Sequence, residues 1–279
     1  MLKLQKMKAS YWEEKGIYYR TNTFEPGRPT LVFIHGLTGS SSSWWPYEKI
    51  FENKYNILNY DIRGHGKSKK FTNYADYAIK KFAEDLHDLT THIKLSKFVL
   101  IGHSMGTLIV AEYEKLYADD VLGLIFLSPI FGLEKSFIGK ISRPILQLSK
   151  ILDFFPFSPK SGHHIDYTKF LNTTDWSAKR IFFDSRNTTL RIHLYCLKQF
   201  FFSREKHVLE KIKVPTLIVH GIKDTISKVD NAVALSKKIK NSELVLIPET
   251  NHFFVLNNLR ETVRVIESFM GKNKKNLLY

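Results

Sequence analysis

The feature that most constrains the fold is a short segment in which an apolar run passes through a glycine-flanked serine into a second apolar run. Residues Phe98–Ile101, with their β-branched members, predict a buried strand, and residues Thr107–Tyr113 predict a helix. Gly102 and Gly106 stand two residues before and after Ser104, where a side chain would collide with the neighbouring strand or helix. The chain therefore has to reverse sharply here, with Ser104 at the tip.

The pattern Gly-His-Ser-Met-Gly at residues 102–106 resembles the nucleophile elbow of the α/β-hydrolase superfamily. A second match lies in Asp61–Ser68, because D-x-R-G-x-G-x-S follows the family's fourth strand. Together with His35–Gly39, the elbow looks most like carboxylesterases and monoacylglycerol-lipase-type enzymes. The resemblance implies an α/β fold with a mostly parallel central sheet flanked by helices, and an inserted helical cap.

Apolar runs separated by glycine- and proline-containing turns predict the other strands of the sheet. These runs are Ile17–Thr21, Thr30–Ile34, Tyr55–Tyr60, Leu122–Leu127, Val214–Val219 and Leu244–Pro248, the first of them antiparallel. The alternation of strands and helices stops from about Ile130 to Lys206, a segment rich in aromatic residues. We therefore expect residues 1–129 and 207–279 to form the core and residues 130–206 to form the helical cap.

The aromatic residues of the expected cap leave two interpretations open. They include Phe154, Phe155, Phe157, Trp176, Phe182, Phe183, Tyr195 and Phe200–Phe202. Their side chains either line an acyl-binding cavity or only hold the cap on the core.

Two further catalytic positions follow from the resemblance. Asp224 stands in a G-x-x-D turn after the strand that restarts the sheet, where the family has its triad acid. His252 follows the last predicted strand, in the family's place for the catalytic histidine. The order Ser104, Asp224, His252 is typical of this fold. The nearest rival for the acid is Asp230, which is expected to open the next helix, where a carboxylate complements the helix dipole.

These three residue types supply the chemistry of acyl transfer. A serine hydroxyl is a weak nucleophile at neutral pH, so His252 has to take its proton during attack and later deliver it to the leaving group. Asp224 is expected to hold the imidazole in the required tautomer and to stabilise its charged form. By resemblance, the backbone N–H groups of Leu37 and Met105 form the oxyanion hole.

Other polar motifs receive structural interpretations. We expect Asp61 and Arg63 to pair and fix their loop, and His65 to belong to the same architecture. His35 is expected to hold its loop through a hydrogen bond, and His103 to take part in the packing of the elbow.

Metal and cofactor sites are not predicted. His163, His164 and Asp166 resemble a sparse metal cluster, but no second pair of ligands at suitable spacing accompanies them. The proposed chemistry requires no cofactor.

Charge and cysteine content limit the partners and the compartment. The 42 basic and 27 acidic residues give a net charge of +15, but the lysines are scattered and no arginine- and aromatic-rich nucleic-acid module surrounds them. We expect no specific nucleic acid, and a weak association with anionic membrane surfaces stays open. Cys196 is the only cysteine. No apolar region follows the basic amino terminus as in a secretory signal, and no apolar run reaches the ~18 residues of a membrane span, so a cytoplasmic location is expected.

The leading hypothesis is a serine hydrolase that cleaves carboxylic esters, of medium-chain or monoacyl lipid type, through an acyl-enzyme intermediate. A small-molecule ester is then the partner, and the oligomeric state is open. Two alternatives remain: an enzyme of the same fold that acts on a carbon–carbon, thioester or amide bond, and a non-catalytic small-molecule receptor. The fold does not decide between them.

Overall fold

A computed structural model describes residues 7–132, 153–202 and 209–277 of the chain. The basic residues at the start of the chain and two parts of the expected cap, residues 133–152 and 203–206, lie outside the described residues. Within the described ranges, eight strands form one sheet in the order β1-β2-β4-β3-β5-β6-β7-β8. The strands are β1 (Lys8–Trp12), β2 (Ile17–Thr21), β3 (Thr30–Ile34), β4 (Asn56–Tyr60), β5 (Phe98–His103), β6 (Val121–Leu127), β7 (Thr216–Gly221) and β8 (Ser242–Ile247).

The sheet is parallel except at one edge. Strand β2 runs antiparallel to both of its neighbours, β1 and β4, and the strands from β4 to β8 are all parallel. Every strand predicted from an apolar run is present within two residues of its expected bounds. Strand β1 was not predicted, because its sequence Lys-Ala-Ser-Tyr-Trp is mostly exposed and lacks a continuous apolar run.

Helices cover both faces of the sheet because successive residues of a strand point to opposite sides. In β3, Val32 and Ile34 pack into one hydrophobic cluster, and Leu31 and Phe33 pack into the other. The helices are α1 (Trp45–Phe51), α2 (Ile79–His92), α3 (Gly106–Leu116), α4 (Ala178–Thr188), α5 (Leu190–Phe202), α6 (Val229–Lys238), α7 (Phe254–Asn257), α8 (Leu259–Lys272) and α9 (Lys274–Leu277).

Helices α4 and α5 lie in the insertion between β6 and β7. Ile192, Tyr195 and Cys196 of α5 are buried in the cluster that also contains α2 and α3. The end of the insertion is therefore packed firmly on the core. Of the helices in the described ranges, none is long and apolar enough to cross a membrane.

Arg63 and Asp61 do not form the pair that the sequence suggested. Arg63 makes a bidentate ion pair with Asp85 of α2, with Nε at 2.6 Å from Oδ2 and Nη2 at 2.5 Å from Oδ1. The expectation was wrong because α2 brings a carboxylate up to Arg63 from 22 residues away, whereas Asp61 is taken up by other donors.

Asp61 instead ties its loop to the insertion. It accepts hydrogen bonds from the backbone N–H groups of Ser41 and Lys67, both at 2.7 Å, and its Oδ2 lies 2.8 Å from Nε2 of His164. His164 is thus engaged with a core carboxylate. Across the three described ranges, no group of three histidine, cysteine, aspartate or glutamate side chains is placed to hold a metal ion.

We predict that Arg63→Met lowers the free energy of unfolding by about 3–5 kcal/mol, because it leaves the buried Asp85 carboxylate without its partner. Burial raises the pKa of Asp85 even though Arg63 opposes the shift, so the pKa of Asp85 should rise further in the variant. A folded state that binds more protons than the unfolded state gains stability as the pH falls. Chemical denaturation should therefore show the difference from wild type narrowing from neutral to mildly acidic pH.

The matched control is Lys15→Met, since Lys15 pairs with Asp88 of the same helix but both side chains are about two-fifths exposed. Loss of this exposed ion pair should lower the free energy of unfolding by less than about 1 kcal/mol. An equal cost in the two variants, or a pH-independent cost for Arg63→Met, would contradict the assignment.

Candidate active site

The turn between β5 and α3 presents Ser104 in a strained backbone conformation. Its φ angle is 52°, in the left-handed region that non-glycine residues rarely adopt. A Cβ atom on Gly102 would lie 2.6 Å from the carbonyl oxygen of Gly106, and one on Gly106 would lie 2.5 Å from the carbonyl oxygen of Ile34. The turn can therefore be this tight only with glycine at both positions, as the sequence predicts.

The turns after β7 and β8 bring an acid and an imidazole to Ser104. Nε2 of His252 lies 2.8 Å from Oγ of Ser104, and Nδ1 of His252 lies 2.7 Å from Oδ2 of Asp224. Because a carboxylate accepts, Nδ1–H donates to Asp224 and leaves Nε2 free to accept from the serine hydroxyl. The structure thus brings together three residues that are up to 148 positions apart.

The environment of Asp224 favours its ionised form. Burial alone would raise the pKa of Asp224, but the neighbouring His252 and the hydrogen bonds to its carboxylate outweigh burial and lower it. Oδ1 accepts the backbone N–H groups of Ile226 and Ser227, both at 2.8 Å. The carboxylate is therefore held in one orientation. Asp230, the rival position, lies in the first turn of α6, as expected.

The carbonyl group of His252 is fixed by two donors. Nε2 of His103 donates to it at 3.0 Å, and Oγ of Ser128 donates at 3.1 Å. Burial lowers the pKa of His103 to about 3, with a further contribution from the nearby His252. His103 is consequently neutral at neutral pH, and its proton lies on Nε2.

A buried aspartate of the insertion holds the amide group of the same residue. Oδ1 of Asp175 accepts the backbone N–H of His252 at 2.8 Å, and its Oδ2 accepts the backbone N–H of Thr225 at 2.8 Å. Sequence reasoning missed Asp175. It lies 77 residues from His252, in a segment without a recognisable motif, so nothing in its local sequence could have indicated these contacts.

The loop after β3 runs close to the elbow. His35 donates from Nδ1 to the carbonyl oxygen of Gly36 at 2.8 Å and accepts the backbone N–H of Ile62 at its Nε2 at 3.2 Å. It therefore joins the loops after β3 and β4, in the structural role expected from the sequence. A Cβ on Gly36 would lie 3.1 Å from Cβ of Ser104. This close approach places Leu37, together with Met105, in the wall of the cavity described next.

A cavity of about 390 Å³ lies over Ser104 and His252, within the size range of small-molecule sites. Its wall is mainly apolar. The insertion contributes about half of the apolar residues of the wall, among them Trp176, Ile181, Leu197, Phe200 and Phe201. Phe200 and Phe201 also belong to the hydrophobic core, so some cap aromatics both line the cavity and hold the insertion in place. Phe154, Phe182 and Phe183 are exposed instead.

One side of the cavity is polar. The phenolic hydroxyl group of Tyr167 donates to Oδ1 of Asp184 at 3.0 Å, and burial raises the pKa of Asp184 to about 7. Arg180 is also buried, and its guanidinium carbon lies 3.4 Å from the ring centroid of Phe253. All three polar side chains line the cavity.

Comparison with known proteins supports the fold described above. A family profile described as the alpha/beta hydrolase fold matches residues 29–259. A protein from Synechocystis sp., provisionally named a non-heme chloroperoxidase, is 29% identical over 256 residues, which cover 85% of this chain and 88% of that protein. The monoacylglycerol lipase ABHD6 of Mus musculus is 24% identical over 263 residues, which cover 88% of this chain and 77% of the mouse protein.

A solved structure gives the same result for the fold. A provisionally named lipase from Acinetobacter baumannii superposes with a TM-score of 0.72 at 21% identity, over 97% of this chain and 93% of that one. The fold therefore has a counterpart in an experimental structure.

We predict that Gly106→Ala lowers the free energy of unfolding by about 1–3 kcal/mol, because the new methyl group overlaps the backbone of the neighbouring strand. The control is Gly271→Ala in α8, where a Cβ would meet nothing within 4 Å. That change should raise stability by about 0.5–1 kcal/mol, the usual gain from alanine in a helix. Thermal and chemical denaturation of both variants would measure the contrast, and a stable Gly106→Ala protein would show that the elbow has room to relax.

Proposed function

Because the chain belongs to the α/β-hydrolase family, we propose that it is a serine hydrolase that cleaves carboxylic esters. In this proposal Ser104 is the nucleophile, His252 the general base and acid, and Asp224 the residue that orients and stabilises His252. The observation that carries the proposal is the continuous line of hydrogen bonds from Oγ of Ser104 through His252 to Asp224. It opens on a cavity large enough for a small ester.

The first half of the reaction forms an acyl-enzyme. Oγ of Ser104 attacks the ester carbonyl carbon as Nε2 of His252 takes the hydroxyl proton. The carbonyl oxygen gains negative charge, which the backbone N–H groups of Leu37 and Met105 are proposed to stabilise by about 3 kcal/mol each. Collapse of the tetrahedral intermediate breaks the ester bond, and His252 delivers its proton to the departing alkoxide.

The second half returns the enzyme to its starting state. Water gives a proton to His252 and attacks the acyl carbon, and collapse of the second intermediate releases the carboxylic acid with Ser104 protonated again. The lowered pKa of Asp224 supports its role, since an ionised carboxylate stabilises the imidazolium that forms in both halves.

The cavity supports an acyl group of medium length or a monoacyl lipid as the substrate. Its apolar wall suits a hydrocarbon chain, whose burial is favourable by about 0.8 kcal/mol per methylene group. The mouse relative is named a monoacylglycerol lipase. We also propose that residues 130–206 act as the cap and that residues 1–129 and 207–279 are the core, since α4 and α5 contribute apolar side chains to the cavity wall.

We predict that the protein hydrolyses p-nitrophenyl esters and that Ser104→Ala lowers kcat by roughly four to six orders of magnitude, as expected when a triad nucleophile is removed. Initial rates on an acyl series from acetate to palmitate would measure both. The variant should retain the fold, because the hydroxyl group has a single partner within the described structure, His252.

A fluorophosphonate probe provides the control for this prediction. It should label the wild-type protein at Ser104 and leave Ser104→Ala unlabelled. Equal and slow rates for wild type and variant across the whole acyl series would refute ester hydrolysis. Labelling without turnover would leave the two alternatives, an enzyme that acts on another bond and a receptor that retains a reactive triad.

A second prediction concerns the acyl-binding wall. Leu197→Trp adds bulk to a side chain of α5 that lines the cavity, so kcat/KM for p-nitrophenyl decanoate should fall by about 10-fold or more while the value for the acetate ester changes little. Leu190→Trp, at an exposed position of the same helix, is the control and should preserve the acyl preference. A parallel loss on both esters in Leu197→Trp would place the acyl chain elsewhere.

A further inference from the structure

A short segment of the insertion, which we call the strap (residues 172–176), is bonded to the two loops that carry the proposed acid and base. Asn251 and Asn257 both donate from Nδ2 to the carbonyl oxygen of Thr173, at 2.8 and 3.1 Å. The backbone N–H of Asn172 donates to Oδ1 of Asn257 at 2.8 Å. These contacts attach one end of the strap to the loop after β8 and to the end of α7.

The other end of the strap is attached to the loop after β7. Nε1 of Trp176 donates to Oγ1 of Thr225 at 3.0 Å. The same hydroxyl group donates to Oδ2 of Asp175 at 2.8 Å. Thr225 directly follows Asp224, so the strap reaches the proposed acid within one residue.

Asp175 is the point at which the two attachments meet. Its Oδ1 holds the backbone N–H of His252, and its Oδ2 holds both the backbone N–H and the hydroxyl group of Thr225, all at 2.8 Å. The residue is 3% exposed. A single buried carboxylate therefore links the backbone of the proposed base to that of the residue beside the proposed acid.

Arg180 secures the strap from the side of α4. Its Nη2 donates to the carbonyl oxygen of Asp175 at 2.6 Å, and its Nη1 donates to Oγ1 of Thr173 at 3.2 Å and to the carbonyl oxygen of Thr174 at 3.3 Å. The guanidinium group also stacks on Phe253, the residue after His252. Its positive charge compensates the buried carboxylate of Asp175 in part.

We propose that Asp175 is a positioning residue of the hydrolase, which sets the relative placement of His252 and Asp224 through their backbones. This inference rests on the proposed function. The carbonyl group of His252 is held by His103 and Ser128, and the amide group by Asp175, so the peptide on each side of the imidazole is fixed. A displacement of about 1 Å at such a residue can lower a rate by about 100-fold.

Within the insertion, the strap therefore has a structural role at the catalytic residues. The strap is part of the catalytic scaffold and stays in place during turnover, since its release would free the amide group of His252. Asp175 itself acts through Thr225 and His252 and transfers no proton.

The test is Asp175→Asn in the full-length protein, assayed on a p-nitrophenyl ester. The amide keeps one acceptor oxygen and turns an NH2 group toward an N–H donor, so one of the two loops loses its anchor. We expect kcat to fall by about 10- to 100-fold while KM changes by less than about threefold, because binding of the ester does not depend on the anchor. The control is Asp166→Asn, an exposed aspartate of the insertion whose hydrogen bonds are local, which should leave both constants unchanged.

Thr225→Val is a second variant that tests the same role if Asp175→Asn does not fold. It removes the hydroxyl contacts of Thr225 with Asp175 and Trp176 and leaves the contact between Asp175 and His252 intact, so kcat should fall by about fivefold, within the range expected for the loss of one or two hydrogen bonds. Unchanged kcat in a folded Asp175→Asn or Thr225→Val protein would overturn the proposal. A rise in KM with unchanged kcat would also overturn it, by making Asp175 a substrate-binding residue.

A readout that needs no turnover separates this inference from the proposed function. The proton between Nδ1 of His252 and Asp224 should give a far-downfield proton NMR signal, which Asp175→Asn should shift or broaden and Asp166→Asn should not. Wild-type protein without ester hydrolysis and without fluorophosphonate labelling would defeat the proposed function. An identical downfield signal in wild type and Asp175→Asn would defeat the positioning role.

Discussion

The structure depends on the parallel pairing of the strands from β4 to β8. Parallel strands present their carboxyl ends along one edge of a sheet, and ligands bind in the crevice at that edge. Strand β5 ends at the elbow of Ser104, β7 ends before Asp224 and β8 ends before His252. The pairing of these strands therefore brings three side chains that are far apart in the chain to the same edge of the sheet.

The elbow converts this arrangement into a reactive geometry at a conformational cost. Holding Ser104 at a positive φ angle costs about 1–3 kcal/mol and persists only if the surroundings enforce it. Here the enforcement comes from packing, since the backbone of α3 lies against β3 and β5 at distances that exclude a Cβ at Gly102 or Gly106. The strain is thereby supported by the hydrophobic core on the face of the sheet that α3 covers.

The sequence predicts the parts of this structure that follow from local pattern. Buried parallel strands appear as apolar runs, and a tight strand-to-helix turn requires glycines. The sheet and the position of Ser104 could therefore be predicted from the sequence. The partner of Arg63 could not be predicted in this way, because Asp85 approaches Arg63 from helix α2. Asp175 was missed for the same reason. Its carboxylate accepts hydrogen bonds from two backbone amide groups more than 45 residues away, and no sequence motif indicates such contacts.

The distribution of charge around the proposed base explains why several histidines can surround it without competing. Burial lowers the pKa of His103 and His220, so both rings are neutral at neutral pH and add no positive charge near His252. The lowered pKa of Asp224 keeps a negative charge next to Nδ1 of His252. An imidazolium that forms on His252 as Ser104 attacks therefore meets the Asp224 carboxylate and no positive charge from His103 or His220. In a buried site the interaction with this carboxylate is much stronger than in water.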